Sequence, residues 1–224
     1  MGNVGYYNEA SKVMNASQDK GDTMFKHVIV WDIICFVVFP LVIWNVGRDI
    51  FGDYYAMLIS SIPGIIYSII RFVLIKRVNV FGIFMILNLV IGTLIDVLAG
   101  SAIQLLWNNV FYSYSMGFLF LFTLLIKKPL PLYFLLDFSE LQGYDRKEIK
   151  ELCYQRKVYR TFIFITLVFI FQDFLSATIR LWLVIEYGVD AYDKGIIIRN
   201  VISWIFTGIC AFGYIRVVRL LKEA

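Results

Sequence analysis

The sequence predicts an all-α polytopic membrane protein, a bundle of six transmembrane helices with both termini in the cytoplasm. Three observations predict it: long apolar segments, few charged residues, and basic residues collected on alternate connections. Apolar residues make up 60% of the 224-residue chain and charged residues only 17%, whereas soluble domains hold about 25% charged residues. A water-soluble core of this size could not hide so much apolar side chain, so lipid must cover much of it.

The apolar segments have the length that helical membrane spans need, about 20 residues each. We place the six spans roughly at 27–46, 54–75, 78–99, 109–126, 159–184 and 195–217. Helices are expected because a backbone in lipid must satisfy its own hydrogen bonds, and the alternating pattern of a β-barrel is absent from these segments. The stretch 99–109 stays open: it either extends the third span or lies in the outer interface, where Trp107 would suit an interfacial anchor.

The basic residues predict the orientation. They collect in the N-terminal segment, after spans two and four, and at the C-terminus, at Lys12, Lys20, Lys26, Lys76, Arg77, Lys127, Lys128, Arg146, Lys147, Lys150, Arg156, Lys157, Arg160, Arg216, Arg219 and Lys222. The positive-inside rule then places both termini in the cytoplasm. We therefore divide the chain into a polar cytoplasmic segment, 1–26, and a six-span membrane domain, 27–224, with its longest cytoplasmic connection at 127–159.

Within that connection, residues Asp145–Lys157 read as a short, charged helix. Two interpretations stay open for it. The segment is either a solvated linker helix near the lipid headgroups or a docking surface for a cytoplasmic partner.

The chain lacks the motifs of common enzymes and cofactor sites. The three cysteines show no C-x-x-C spacing, and the sequence contains no P-loop, no dinucleotide-binding glycine motif and no hydrolase elbow. No group of side chains has metal-ligand spacing. We expect a protein without a cofactor or metal that is not an enzyme, and whose net charge of +4 reports membrane orientation rather than nucleic-acid binding.

Polar residues within the spans are the candidates for function, because an ionisable group in lipid is expensive. We select an acidic residue and its amide neighbour in span five, a basic residue seven positions later, an acidic residue in span three, and a basic residue with its amide neighbour in span six: Asp173, Gln172, Arg180, Asp96, Arg199 and Asn200. They either line an outward-facing polar cavity that ends near Asp173 and holds a ligand or ion, or form charge pairs that hold the helices together.

Small residues form stripes on two spans. Gly92, Asp96 and Gly100 recur every four residues in span three, and Ser60 and Gly64 do so in span two. Small residues on one stripe let a second helix approach closely. We therefore expect a close helix contact at each stripe. The alternative is that proline kinks at Pro40 and Pro63 in the first two spans create a hinge or a binding gap.

Short motifs give the chain a resemblance to a known group. A basic turn at Lys76–Arg77 precedes a glycine-containing span, and the run Phe118–Leu130 reads FLFLFTLLIKKPL, while Tyr159-Arg-Thr-Phe opens span five. In these features the chain resembles a group of small uncharacterised bacterial inner-membrane proteins, and its first four spans are similar in outline to intracellular septation protein A. The resemblance implies a multi-pass protein of the bacterial cytoplasmic membrane and no particular activity.

Two functions remain open from the sequence. One is a small transporter or channel-like protein with its polar site near Asp173, which would bind a small molecule or ion. The other is a non-catalytic envelope scaffold that binds a membrane-protein partner. Either can work as a homodimer in the lipid bilayer, and neither needs nucleic acid.

Overall fold

The structure is a computed structural model that describes residues 30–75, 79–141 and 143–222. In these ranges every regular element is helical and none is a strand, which confirms the predicted all-α class. The predicted cytoplasmic segment 1–26 and the basic pair at Lys76 and Arg77 lie outside the described residues.

Seven α-helices follow one another along the described chain. A π-helical turn, Ile34–Val38, leads into the first of them, and a 3-10 turn, Gly188–Asp190, separates the last two. The helices are α1 (Phe39–Ile75), α2 (Val80–Val97), α3 (Ala102–Leu125), α4 (Leu130–Leu141), α5 (Arg146–Cys153), α6 (Arg156–Tyr187) and α7 (Ala191–Lys222).

Helix α1 breaks at Gly52 and folds back on itself. Gly52 has φ +77° and ψ 163°, a non-helical conformation that glycine adopts without strain. A Cβ added at Gly47, before the break, would lie 3.5 Å from the Cβ of Ala56, after the break. Further away, the rings of Phe36 and Tyr67 meet with centroids 5.7 Å apart. The residues before and after Gly52 therefore form an antiparallel helical hairpin.

The turn between α2 and α3 shows to which helix the stretch 99–109 belongs. Gly100 has φ +74°, and the Ser101 side chain accepts a hydrogen bond of 3.3 Å from the Gln104 amide, which caps the start of α3. Residues 102–109 are thus the first two turns of α3. The fourth helix of the predicted six begins at Ala102 rather than near 109.

Helices α6 and α7 form the last hairpin, reversing at Gly188, whose φ is +56°. Phe171 packs against Phe206, with ring centroids 5.8 Å apart. At Gly213 an added Cβ would lie 2.7 Å from Ile165 Cγ1. The two long helices therefore run antiparallel and approach closely where the glycine lies.

The glycine turns at Gly52 within α1, at Gly100 after α2 and at Gly188 after α6 lie at one end of the bundle. The Arg48 guanidinium joins the first turn to the third, because its Nη1 lies 2.9 Å from Asp190 Oδ1 and its Nε 3.4 Å from Asp53 Oδ1. The Tyr54 hydroxyl donates to the Val97 carbonyl at 2.7 Å and so joins the first turn to the second. We call this end, marked by the turns at Gly52, Gly100 and Gly188, the turn end.

Several helices are long and apolar enough to cross a membrane. Three stretches of the described chain qualify, namely Val30–Ile70, Val80–Val97 and Arg156–Leu221. The pair Ala102–Leu125 and Leu130–Glu140, bent by 81°, makes a fourth if it is taken as one span. The described chain therefore contains three or four helical stretches with the length and composition that membrane spans need.

The predicted connection 127–159 is more structured than its charge suggests. Its first part is α4, in which Leu132 and Leu136 are completely buried. In its second part the described residues of α5 cover Arg146–Cys153, a shorter helix than the Asp145–Lys157 expected from sequence. The Asp145 side chain caps α5 by accepting from the amide of Lys147 at 2.6 Å. The connection is therefore packed against the bundle.

A buried carboxylate ties this connection to the bundle. The Asp137 side chain is fully buried and accepts from the Phe81 backbone amide at 2.7 Å, at the start of α2. It also accepts from Arg146 Nη1 at 2.7 Å, and the same nitrogen donates to Glu140 at 2.7 Å. The hydrogen bond to Glu140, and after it the hydrogen bond to Asp137, raises the pKa of the Arg146 guanidinium. We call Phe81, Asp137, Glu140 and Arg146 the latch.

The two small-residue stripes differ in what they contact. At Gly64 an added Cβ would lie 3.0 Å from the Phe36 ring, so a helix does approach there as predicted. At Gly92 and Gly100 an added Cβ would meet nothing within 4 Å. The expected close contact along the span-three stripe is therefore wrong at both glycines, because α3 contacts α2 through other residues.

Candidate functional site: a charged cavity near the turn end

A cavity of about 230 Å³ lies inside the bundle, in the half nearer the turn end. Both arms of α1 and helices α2, α3, α6 and α7 contribute to its wall. Its polar lining combines hydroxyls, an amide and three charged groups: Ser60, Ser61, Ser68, Asn109, Tyr192, Asp96, Arg180 and Arg199. The fold therefore brings charged side chains from three helices, α2, α6 and α7, to the same cavity.

Asp96 is held in a fixed orientation at the edge of this cavity. Asn109 Nδ2 donates to Asp96 Oδ1 at 2.7 Å and also to the Leu105 carbonyl at 3.0 Å. Because Asn109 is anchored to its own helix, it positions the carboxylate. Among the described residues Asp96 Oδ2 makes no hydrogen bond, so this oxygen is available to a ligand.

Arg180 and Arg199 bring two guanidinium groups to the same cavity. Arg180 Nη1 lies 3.4 Å from the Ser113 hydroxyl, a long hydrogen bond, and its side chain is half-buried. Arg199 lies on the adjacent helix with an exposed side chain. Both also line a smaller crevice between α6 and α7, which shows that the two side chains are neighbours.

The charged residues do not form the ion pairs that one interpretation of the sequence expects. In the described part of the chain no nitrogen of Arg180 or Arg199 lies within 4.0 Å of a carboxylate oxygen of Asp96 or Asp173. All three side chains nevertheless line the same cavity, so its wall contains two guanidinium groups and one carboxylate.

Tyr192 and Ser60 complete the wall, and the sequence interpretation did not select them as site residues. Their hydroxyl oxygens lie 2.5 Å apart. The Ser60 hydroxyl donates to the Met57 carbonyl at 2.7 Å, and the Tyr192 ring packs on Trp44 with centroids 5.0 Å apart. Buried hydroxyl groups need hydrogen-bond partners. A tyrosine and a serine among apolar residues were therefore the sequence signal that could have identified this pair.

Three of the predicted site residues lie away from the cavity lining. Asp173 is seven residues before Arg180 on α6, about 10 Å along the helix axis, where its Cβ lies 3.4 Å from a Cβ added at Gly117. Gln172 precedes it and is half-buried. The structure thus places Asp96, Arg180 and Arg199 together, and Asp173 two helical turns deeper.

Asn200, the third of these residues, has a structural role beside the start of α1. Pro40 has no amide hydrogen to donate to the carbonyl four residues earlier, that of Phe36. Asn200 Nδ2 donates to the Phe36 carbonyl at 3.5 Å and to the Ile196 carbonyl at 2.8 Å. A span helix tolerates proline where a neighbouring helix supplies such a donor.

The cavity has the chemistry of a binding site for a small charged solute. Two guanidinium groups and one carboxylate give it a net positive charge, and arginine side chains bind carboxylates and phosphates through paired hydrogen bonds. No group of three or more His, Cys, Asp or Glu side chains in the described residues could hold a metal ion. The lining instead suits a solute with a negative group and space for a cationic or hydrogen-bonding one beside Asp96.

Comparison with known proteins adds no relative: no protein-family model, curated protein or solved structure matches the chain. The geometry of the cavity is therefore the basis for assigning a function.

Proposed function

We propose that the protein is a small multi-pass membrane transporter that binds an anionic or zwitterionic solute in the cavity lined by Asp96, Arg180 and Arg199. One observation carries the proposal: three charged side chains from separate helices face a common space of about 230 Å³ without pairing with one another. Charges within spans that only hold helices together would be expected in contact.

The size of the cavity limits the solute. A water molecule occupies about 30 Å³ in the liquid, and drug-sized ligands occupy pockets of about 300–1,000 Å³. A space of about 230 Å³ suits a small organic acid, an amino acid or an inorganic anion with a few waters. Arg180 and Arg199 would bind the negative group, and Asp96 would select for a positive or hydrogen-donating group.

The proposed topology is six spans with both termini in the cytoplasm. Antiparallel hairpins at Gly52 and Gly188 support counting the residues on either side of each as separate crossings. Of the charges outside the spans, the basic residues concentrate at the end opposite the turn end, as in Lys127, Arg146 and Arg156. That end would face the cytoplasm of a bacterial cell, and the cavity would lie in the outer half.

Native mass spectrometry of the full-length protein, released from a mild detergent, tests the proposal. The wild-type protein should carry a stoichiometric small-molecule mass that is lost in Arg199→Gln and in Asp96→Asn. Arg219→Gln removes the same charge from α7 outside the cavity and should keep the mass. A protein that is bare in the wild type, or a mass that survives both cavity substitutions in folded protein, contradicts a solute site here.

Asp173→Asn separates the cavity from the deeper position favoured by the sequence. Because Asp173 does not line the cavity, we expect this variant to retain the bound mass. Loss of the mass with an intact fold would extend the site along α6 to Asp173.

A partner-binding scaffold is the second candidate, and one observation favours it. Helix α5 buries Cys153 against the bundle while it exposes Lys147, Glu148 and Glu151, and the latch holds it in place through Arg146. A charged helix at the proposed cytoplasmic surface suits docking of a protein with complementary charges. A partner that co-purifies in mild detergent and is lost on charge reversal at Lys147 and Glu151 would support this function.

A further inference from the structure

A second concave surface lies on the α6–α7 hairpin, at the end opposite the turn end. It is an open groove of about 820 Å³. Three cations, Lys157, Arg160 and Arg216, line it together with apolar side chains such as Phe164 and Phe212. The groove is separate from the charged cavity, with which it shares no lining residue.

The cations of this groove are not used by the fold. Lys157, Arg160 and Arg216 are all exposed, and within the described residues none lies within 4.0 Å of a carboxylate oxygen. They lie near the ends of α6 and α7, where long basic side chains reach the headgroup region of a bilayer. Three unpaired positive charges at that depth attract a phosphate group.

The apolar part of the groove extends from these cations towards the middle of the helices. From Arg216 to Ile205 it follows α7 over eleven residues, about 17 Å along the axis. Phe164 is 52% exposed and Phe212 69% exposed. At Gly208 an added Cβ would meet nothing within 4 Å, so the glycine leaves open space along the groove.

We propose that this groove is a binding site for one anionic glycerophospholipid. The phosphate would lie among Lys157, Arg160 and Arg216, and an acyl chain would lie along the apolar surface past Gly208. Charge and shape together favour this occupant, since a positive headgroup site continues directly into an apolar channel that is open to the bilayer. The proposal is independent of the solute bound in the charged cavity.

Retention of defined lipids by the full-length protein in native mass spectrometry tests the proposal. With phosphatidylglycerol and phosphatidylcholine of matched acyl chains, we expect one phosphatidylglycerol retained and phosphatidylcholine lost. Arg160→Gln with Arg216→Gln should weaken phosphatidylglycerol binding about 25-fold, about fivefold for each charge removed. Arg156→Gln with Arg219→Gln is the matched control on the same two helices, outside the groove, and should change binding less than twofold.

Gly208→Leu tests the apolar part and leaves every cation in place. It should block the groove and abolish retention of phosphatidylglycerol, whereas Gly92→Leu, at a similarly open glycine on α2, should not. Equal retention of the two lipids, or equal loss in the groove and control variants, overturns the proposal. So does displacement of phosphatidylglycerol by millimolar inorganic phosphate together with normal retention in Gly208→Leu, which would show a site for free phosphate.

Discussion

The carboxylate in the latch and the carboxylate in the cavity near the turn end differ in how many hydrogen bonds the protein makes to them. At the latch, the Asp137 carboxylate is fully buried and both of its oxygens accept hydrogen bonds of 2.7 Å, one from Phe81 and one from Arg146. In the cavity near the turn end, Asp96 has one protein partner on one oxygen. A charge whose bonds are all made by the protein stabilises the fold, whereas one that faces a cavity with a free oxygen is available to a ligand.

Loss of the latch carboxylate should have the largest effect on stability. Asp137→Ala leaves the Phe81 amide without its acceptor and removes one carboxylate from Arg146. Arg146 is 36% exposed at its side chain and keeps Glu140, so we expect a loss of about 2–3 kcal/mol in the free energy of unfolding. Denaturant unfolding in detergent measures it.

Glu140→Gln is the control for that prediction. Glu140 is exposed, and exposed ion pairs contribute about 0–1 kcal/mol. If the Glu140 and Asp137 variants unfold at the same denaturant concentration, the buried carboxylate is not what fixes the connection.

Charge removal at the cavity should affect stability much less than at the latch. Arg199→Gln breaks no ion pair within the described residues, and an unpaired charge within a span is unfavourable. We expect the free energy of unfolding to stay within about 1 kcal/mol of wild type while solute binding is lost. The same denaturation assay reports the first quantity and native mass spectrometry the second. A loss of stability as large as that of Asp137→Ala would make Arg199 a structural residue.

Removal of one cavity hydroxyl should lower the free energy of unfolding by less than loss of the latch carboxylate does. Tyr192→Phe leaves the ring on Trp44 and removes the contact with Ser60 and the 3.4 Å bond to the Met57 carbonyl. We expect about 1 kcal/mol of destabilisation, as for a typical buried hydrogen bond. Tyr114→Phe, whose hydroxyl bonds to the exposed Thr178, should change thermal stability less. Equal losses of thermal stability in the two variants would show that the Tyr192 hydroxyl contributes no more than the Tyr114 hydroxyl.

The smallest expected effect on stability at neutral pH is that of the buried thiol of Cys153, the last residue of α5. Burial raises the pKa of Cys153 from 9.0 to about 12. The neutral thiol is therefore favoured in the folded protein, and its contribution to stability is constant below pH 9 and is lost as the pH rises from 9 towards 12. With Cys35 and Cys210 replaced by alanine, maleimide labelling at pH 9 should be at least about tenfold slower in folded than in unfolded protein. Equal rates would show an accessible thiolate.

Local sequence predicted the helices better than it predicted their contacts. The apolar runs indicated all-α structure, because helix formation depends on residues close together in the chain. The packed helix α4 was missed because its 12 residues, although mostly apolar, are too few for a membrane span. The stripe at Gly92 was misjudged because a row of small residues permits a helix contact but does not supply the second helix.

The candidate site shows the same division. Polar residues within apolar spans can be selected from sequence, since their burial in lipid is expensive, and that selection included Asp96, Arg180 and Arg199. It could not separate them from Asp173, because all four satisfy the same criterion. It also missed Tyr192, whose partner Ser60 is 132 residues away in the chain.

By itself, therefore, the sequence determined that the chain forms apolar helices and where charges interrupt them, because helix formation and transfer to lipid depend on short stretches of residues. Only the tertiary structure decided which charges share a space. Contacts of α4 with α2 and α5 leave Asp137 fully bonded. The helices of the Gly52 and Gly188 hairpins join α2 and α3 around the cavity that Asp96, Arg180 and Arg199 line. Whether a charge supports the fold or binds a ligand depends on those long-range contacts.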